Sequence, residues 1–127
     1  MLRGSVCRMN APAKPVGPYT PIVRAGDWLV VSGQVGVLDG TLVPGGVPGE
    51  LRQAIANLEA HLATEGASLS DVVKTTVFLR HMSDYAPMNE TYVAAFGDHR
   101  PARSAIGVAE LPIGALVEVE AWAWVGG

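Results

Sequence analysis

The sequence predicts an α+β fold in which two helices pack on one face of a mixed β-sheet. Two observations predict it: segments with strand and helix patterns follow one another as strands, helix, strand, helix and two strands, and the last strand alternates small apolar residues with charged or aromatic ones. A chain of 127 residues suits one core. We therefore expect a single domain spanning residues 1–127.

The first half of the chain predicts a loop, a hairpin and a helix. Ala11–Pro21 carries four prolines, so we expect a structured loop there. The β-forming residues of Trp28–Val35 predict a strand, and a turn at Asp39-Gly40 leads into a second short strand over 41–43. Apolar residues at helical spacing then predict a first helix from about Pro48 to Glu65.

The second half predicts a strand, a helix and two more strands. Val72–Leu79 has the composition of a mostly buried strand. Asp84 is a candidate N-cap for a second helix that ends before Gly97. The apolar stripe of this helix comprises Tyr85, Met88, Tyr92 and Phe96. Strands over Arg103–Ala109 and Leu116–Val125 complete the sheet.

The alternation in these strands assigns residues to the two faces of the sheet. In the last strand, small apolar residues occupy the core face, and the other face carries Glu118, Glu120, Trp122 and Trp124. That face is too apolar for plain solvent exposure and too charged for a core, which is typical of interfaces and pockets. We assign Ser104, Ile106 and Val108 to the core face and Arg103, Ala105 and Gly107 to the other. This assignment predicts that four residues converge on the non-helical face: Arg103, Glu120, Ser32 and Gln34.

Composition excludes several classes of function. The net charge is −3 and no basic run occurs, so we expect no nucleic-acid partner. No apolar stretch approaches the ~18 residues of a membrane span, and the first ten residues lack a signal-peptide pattern, so we expect a cytoplasmic protein. Only 17% of residues are charged, which favours an oligomer. The single Cys7 cannot form an internal disulfide, and we expect it to be dispensable.

Few residues are candidates for chemistry. Arg103 has the planar fork that grips a carboxylate, although an interfacial ion pair with Glu118 or Glu120 is the alternative. Glu120 could deprotonate or orient a water molecule, or it could simply be solvated or paired. Ser32 lacks the context of a hydrolase nucleophile but could hydrogen-bond a ligand. The histidines are scattered, so we predict no metal site.

Several short motifs occur in a fixed order along nearly the whole chain. They are Gly17-Pro18-Tyr19-Thr20, Val31-Ser32-Gly33-Gln34, Val73-Lys74-Thr75-Thr76-Val77-Phe78-Leu79, Met88-Asn89-Glu90-Thr91-Tyr92, Pro101-Ala102-Arg103-Ser104, Leu111-Pro112 and Val117-Glu118-Val119-Glu120-Ala121. With these motifs the sequence resembles the YjgF/RidA family of reactive intermediate deaminases. The resemblance implies a chorismate-mutase-like α+β fold and a homotrimer with ligand pockets at its subunit interfaces. It also implies cofactor-free hydrolysis of 2-imino or enamine acids to 2-oxo acids and ammonia, the activity of a 2-iminobutanoate/2-iminopropanoate deaminase.

The resemblance also implies roles for individual residues. Arg103 matches the family's carboxylate-binding arginine and Glu120 its water-positioning glutamate. Tyr19, Ser32 and Asn89 match pocket-lining residues, and the backbone amide of Ala105 could donate to a ligand. Ala105 and Gly107 stand where the best-known deaminase branch has cysteine and glutamate, which indicates a sibling subgroup. The alternative function is a non-catalytic protein that binds or senses 2-oxo acids through Arg103.

Overall fold

The computed structural model describes Pro15 and residues 17–127, and it confirms the α+β fold. Cys7 and the start of the predicted proline-rich loop lie outside the described residues. The helices are α1 (Gly46–Thr64) and α2 (Tyr85–Phe96). The strands are β1 (Ile22–Ala25), β2 (Trp28–Val35), β3 (Val37–Leu38), β4 (Thr41–Leu42), β5 (Val72–Leu79), β6 (Ala102–Gly107) and β7 (Val117–Trp124).

Five of these strands form one mixed sheet in the order β1-β2-β7-β5-β6. Strands β5 and β6 are parallel because α2 connects them as a crossover, and the remaining pairs are antiparallel. The short strands β3 and β4 form a separate hairpin through the predicted Asp39-Gly40 turn. Strand β1 was not predicted, because it has only four residues and three of them are exposed. Neither described helix is long and apolar enough to cross a membrane.

The core lies between the helices and one face of the sheet. Val117, Val119, Ala121 and Ala123 of the central strand β7 have no exposed surface, which confirms the predicted alternation. They pack in one apolar cluster with the inner face of α1, including Leu51. Each leucine-sized side chain buried in this way stabilises the fold by roughly 1.5–3 kcal/mol.

The second helix begins at the predicted residue but not by the predicted means. Asp84 occupies the N-cap position, yet its side chain makes no capping hydrogen bond. Met88, Tyr92 and Phe96 of the predicted stripe are buried, whereas Tyr85 is exposed. Tyr85 is the first residue of α2 and is 42% exposed.

A β-bulge interrupts the pairing of β2 with β7. Val31 pairs with Ala121 and Gln34 pairs with Val119, so Ser32 and Gly33 together stand opposite a single residue. The extra residue reverses the alternation, and Gln34 is buried on the helix face. Its predicted position on the opposite face is therefore wrong.

The faces of the edge strand β6 are also reversed relative to the prediction. Arg103 is aligned with Thr75, which is fully buried on the helix face, and Ser104 is aligned with Thr76 on the other face. Ser104 and Ile106 are exposed, so their predicted burial is wrong, and Val108 lies beyond the end of the strand. The pattern misleads because the residue that faces the helices here is a long arginine that packs its charged group among aromatic rings.

A close approach of two backbones connects the β2–β3 junction to α1. A Cβ added to Gly36 would lie 2.5 Å from the carbonyl oxygen of Glu50 and 2.6 Å from its Cα. Both neighbours are helix backbone, which cannot move aside without shifting α1. The Glu50 side chain reinforces this junction, since its Oε1 accepts a hydrogen bond from the Leu116 amide at 2.8 Å.

We predict that Gly36→Ala lowers the free energy of unfolding by about 2 kcal/mol, the usual cost of overpacking a filled site. Urea denaturation at one protein concentration measures it. Gly127→Ala is the control, since nothing lies within 4 Å of a Cβ there. Equal midpoints for the two variants would contradict the prediction.

Candidate functional site

Arg103 lies in a cradle of side chains from α2. Its Nη1 donates to the sulfur of Met88 at 3.5 Å and its Nη2 donates to the hydroxyl of Tyr85 at 3.2 Å. Its Cζ lies 4.9 Å from the ring centroid of Tyr92 and 5.6 Å from that of Tyr85. These contacts hold the guanidinium by cation–π attraction while using only part of its five-donor fork.

The floor of this cradle is fixed by buried hydrogen bonding and stacking. The Tyr92 hydroxyl and Thr75 Oγ1 are 2.7 Å apart, and the Tyr92 ring stacks on Phe96 with centroids 4.6 Å apart. Burial raises the pKa of Tyr92, while the Thr75 hydrogen bond and the charge of Arg103 oppose that shift. Tyr92 therefore stays a neutral phenol beneath the guanidinium.

No carboxylate within the described part of the chain lies within salt-bridge distance of Arg103. Arg103 therefore forms no ion pair with Glu118 or Glu120 inside one chain, and the interfacial ion pair stays a prediction. Asn89 follows Tyr85 by one helical turn on the same side of α2, and its buried Oδ1 has no hydrogen-bond partner among the described residues. Arg103 and Asn89 thus combine an unneutralised cation with an unused polar group.

A separate pocket of about 250 Å³ opens beside the bulge of β2. It is lined by Pro15, Tyr19, Pro21, Ser32, Gly33, Gln34, Val35, Val37, Asn57, His61, Pro112 and Glu118. Two predicted residues, Tyr19 and Ser32, line it; Arg103, Asn89, Ala105 and Glu120 do not. Ser32 Oγ donates to the Thr20 carbonyl at 2.7 Å, which leaves the hydroxyl oxygen able to accept from a ligand.

Glu118 is the carboxylate that lines this pocket, and the sequence-based prediction did not single it out. Its carboxylate lies over Gly33, where a Cβ would collide with it. Burial raises the pKa of Glu118, and the charge of Glu120 on the same face raises it further. The alternation along β7 places both glutamates on the same face, so the sequence pattern cannot tell which one lines the pocket. Only the pairing of β7 with the bulged strand β2 distinguishes them.

The inner wall of the pocket is polar, and Asn57 there hydrogen-bonds to the protein backbone. Asn57 Nδ2 donates to the carbonyls of Val35 at 3.1 Å and Val37 at 3.0 Å, which ties α1 to the β2–β3 junction. His61, one turn further along α1, is buried, and burial lowers the pKa of its imidazole. The imidazole is therefore neutral at pH 7.

The two parts of the candidate site occupy opposite faces of the sheet. Thr75 is aligned with both Arg103 and Ala121, which places Arg103 on the helix face. Thr76 is aligned with Glu120 on the opposite face, which Glu118 shares. The predicted convergence of Arg103, Glu120, Ser32 and Gln34 within one chain is therefore wrong.

No cluster of three or more His, Cys, Asp or Glu side chains within the described ranges could hold a metal ion. His61, His81 and His99 belong to different parts of the fold, and His99 Nε2 contacts the Val72 carbonyl oxygen at 2.7 Å. The arrangement thus offers an anion-binding guanidinium, a pocket with a carboxylate base, and hydroxyl groups that can orient a ligand.

Comparisons with known proteins connect this geometry to a family. The family model described as Endoribonuclease L-PSP matches residues 9–125. A RutC family protein of Pyrococcus horikoshii is 44% identical over 117 residues, covering 91% of this chain and 92% of the relative. The 2-iminobutanoate/2-iminopropanoate deaminase of Escherichia coli K12 is 40% identical over 121 residues, with 92% and 94% covered.

A solved structure gives the same result. The crystal structure of the YjgF gene product of Escherichia coli matches with a TM-score of 0.83 and 40% identity, over 91% of this chain and 93% of that one. Sequence and fold therefore agree over almost the whole domain. The chain belongs to the YjgF/RidA family, whose model carries the description Endoribonuclease L-PSP.

Proposed function

We propose that this protein hydrolyses 2-imino acids and their enamine tautomers to 2-oxo acids and ammonia without a cofactor. The observation that carries the proposal is the guanidinium of Arg103, which is held by aromatic rings and has no carboxylate partner among the described residues. Relatives at about 40% identity that are named 2-iminobutanoate/2-iminopropanoate deaminase support the reaction class.

Arg103 would bind the substrate carboxylate. Its fork can donate two parallel hydrogen bonds to a carboxylate, which fixes the plane of the substrate as well as its position. The rings of Tyr85 and Tyr92 restrict the guanidinium before substrate arrives, so little orientational freedom is lost on binding. Asn89 and the amide of Ala105, on the same side of the sheet, are the further groups proposed to contact this end of the substrate.

A glutamate would activate the water molecule. Water adds to the imine carbon and gives one proton to the carboxylate, which passes it to the nitrogen. The hydroxyl group of this carbinolamine then gives its own proton, through the same carboxylate, to the nitrogen as the C–N bond breaks, so ammonia leaves and a carbonyl group remains. Glu118 suits this step because its raised pKa makes it a stronger base than an ordinary glutamate. Glu120, the predicted residue, is its neighbour on the same face and stays the alternative.

The site would be shared between two copies of the chain in a homotrimer. Arg103 and the two glutamates lie on opposite faces of one sheet, so one chain cannot bring them to one substrate. The face that carries the glutamates also carries Trp122 and Trp124, each 44% exposed and each in edge contact with Trp28. Such an aromatic surface is typical of a subunit interface.

Binding without turnover is the alternative function, because the same Arg103 could hold a 2-oxo acid in a sensor. An amino acid oxidase that supplies the imino acid in situ distinguishes the two. An enzyme speeds the appearance of 2-oxo acid above the spontaneous rate, and a sensor does not.

The first prediction of the proposed function tests the planar guanidinium fork of Arg103. Arg103→Lys keeps the charge but cannot form the bidentate pair, so we expect affinity for a 2-oxo acid to fall by about tenfold or more. Calorimetric titration measures it. Arg24→Lys is the control, because Arg24 pairs with Glu65 at 3.3 Å, outside the candidate site. If Arg103→Lys binds the 2-oxo acid as tightly as the wild type, the cradle around Arg103 has only a structural role.

The second prediction compares two isosteric changes on one face of β7. Glu118→Gln removes the pocket carboxylate, and we expect the deaminase rate to fall by about 100-fold, or roughly 2.7 kcal/mol, with 2-oxo acid affinity little changed. Glu120→Gln is the matched control and should lose only a few fold. The reverse result would assign water activation to Glu120, and two equally active variants would remove both residues from the mechanism.

The third prediction tests whether copies share the site. Arg103→Lys and Glu118→Gln chains, unfolded and refolded together, should regain activity that neither has alone. One of the three sites in each mixed trimer then contains both intact residues, or about one site in four at equal mixing. Light scattering checks that the species is a trimer of 13.3 kDa chains. No regain in mixed trimers would contradict a shared site.

A further inference from the structure

The pocket beside the β2 bulge has an outer and an inner end. Tyr19, at the outer end, is 40% exposed, whereas His61 on α1 is 4% exposed. The walls between them include the apolar side chains of Val35, Val37 and Pro112. A ligand that enters with its reacting carbon near Glu118 would therefore direct its side chain past apolar walls toward His61.

The amide of Asn57 on this wall has its hydrogen bonds filled by the protein. Asn57 uses both amide hydrogens on backbone carbonyls, and its oxygen accepts from Gln53 Nε2 at 2.9 Å. Gln34 Nε2 donates to the Ser32 carbonyl at 3.1 Å. Within the described residues, the imidazole of His61 makes no hydrogen bond. It is therefore a buried polar group of this wall that a ligand can still satisfy, beside the second amide hydrogen and the oxygen of Gln34.

The chemistry of the imidazole limits what it can recognise. Burial lowers the pKa of His61, so the ring is neutral at pH 7 and offers one nitrogen as donor and the other as acceptor. A hydroxyl group can donate to one nitrogen or accept from the other, so it suits either tautomer. A methyl group in the same place would leave the imidazole buried without a partner, which is unfavourable.

We propose that His61 is a specificity-determining residue that favours imino acids with a hydroxyl group on the side chain. This inference rests on the proposed deaminase function and assigns a substrate class to the same pocket. The volume of about 250 Å³ is below the range of about 300–1,000 Å³ that holds drug-sized ligands, so only a short side chain fits. The hydroxyl would stand two or three carbons from the imine.

An isosteric pair of substrates isolates the effect of the hydroxyl group. An amino acid oxidase converts homoserine to 2-imino-4-hydroxybutanoate and norvaline to 2-iminopentanoate, which differ by a hydroxyl in place of a methyl. We expect the wild type to prefer the hydroxyl substrate by about tenfold or more in kcat/KM, after correction for spontaneous hydrolysis and oxidase rate. Calorimetry with the two corresponding 2-oxo acids should show the same preference in affinity.

Two variants test whether His61 causes the preference. His61→Leu fills the space without a polar atom and should abolish or reverse the preference while retaining turnover of 2-iminopentanoate. His61→Gln keeps a donor and an acceptor and should retain much of the preference. Thermal unfolding of each variant checks that it is folded. The matched control is His81→Leu, because His81 is exposed and does not line this pocket.

The outcomes separate this inference from the function on which it rests. A wild type that hydrolyses both substrates equally, or a preference that survives His61→Leu, overturns the role of His61 and leaves the deaminase function standing. A wild type that accelerates neither substrate and binds neither 2-oxo acid overturns both. If both His61 variants fail to fold, equal wild-type affinity for the two 2-oxo acids would still overturn the inference.

Discussion

The pairing of β7 between β2 and β5 is the constraint on which the rest of the structure depends. The central strand presents only small apolar residues to the helices, which lets α1 pack directly onto the sheet. The same alternation commits its remaining side chains, two glutamates and two tryptophans, to the opposite face. The core and the charged, aromatic surface opposite it are therefore two consequences of one alternation along a single strand.

The bulge in β2 is the local exception that makes the pocket. Two residues of β2 span one of β7, which shifts Gln34 to the helix face and leaves Gly33 beneath the carboxylate of Glu118. Because glycine has no Cβ, this carboxylate can lie close to the β2 backbone. Asn57 then ties the next part of the chain to α1 through two backbone carbonyls. The pocket wall at residues 32–33 is thus held in place by both the sheet and α1.

The sequence was sufficient to predict both described helices and the strands other than β1 and β3, but not the placement of the site. The bounds of β5 and the two faces of β7 were predicted correctly, because burial against the helices is enough to produce their sequence patterns. The bulge could not be predicted, because an extra residue leaves no mark on alternation within Val31-Ser32-Gly33-Gln34. The faces of β6 were misassigned because cation–π contacts stabilise Arg103 on the helix side, which hydrophobicity does not encode. Glu118 was not singled out as the pocket carboxylate because its place over Gly33 depends on the same bulge.

Charge explains why a site divided between copies suits the proposed substrate. Within its described residues, each chain carries a guanidinium without a carboxylate partner on one face. The other face carries two glutamates, and burial together with the charge of Glu120 raises the pKa of Glu118. A protonated 2-imino acid has a carboxylate next to a cationic nitrogen, so it would complement both faces in the shared site that we propose. Hydrolysis removes the cation with ammonia and leaves a 2-oxo acid that satisfies only Arg103. In the proposed shared site the glutamates would then lose their counter-charge, so the product would be held by fewer charge interactions than the substrate.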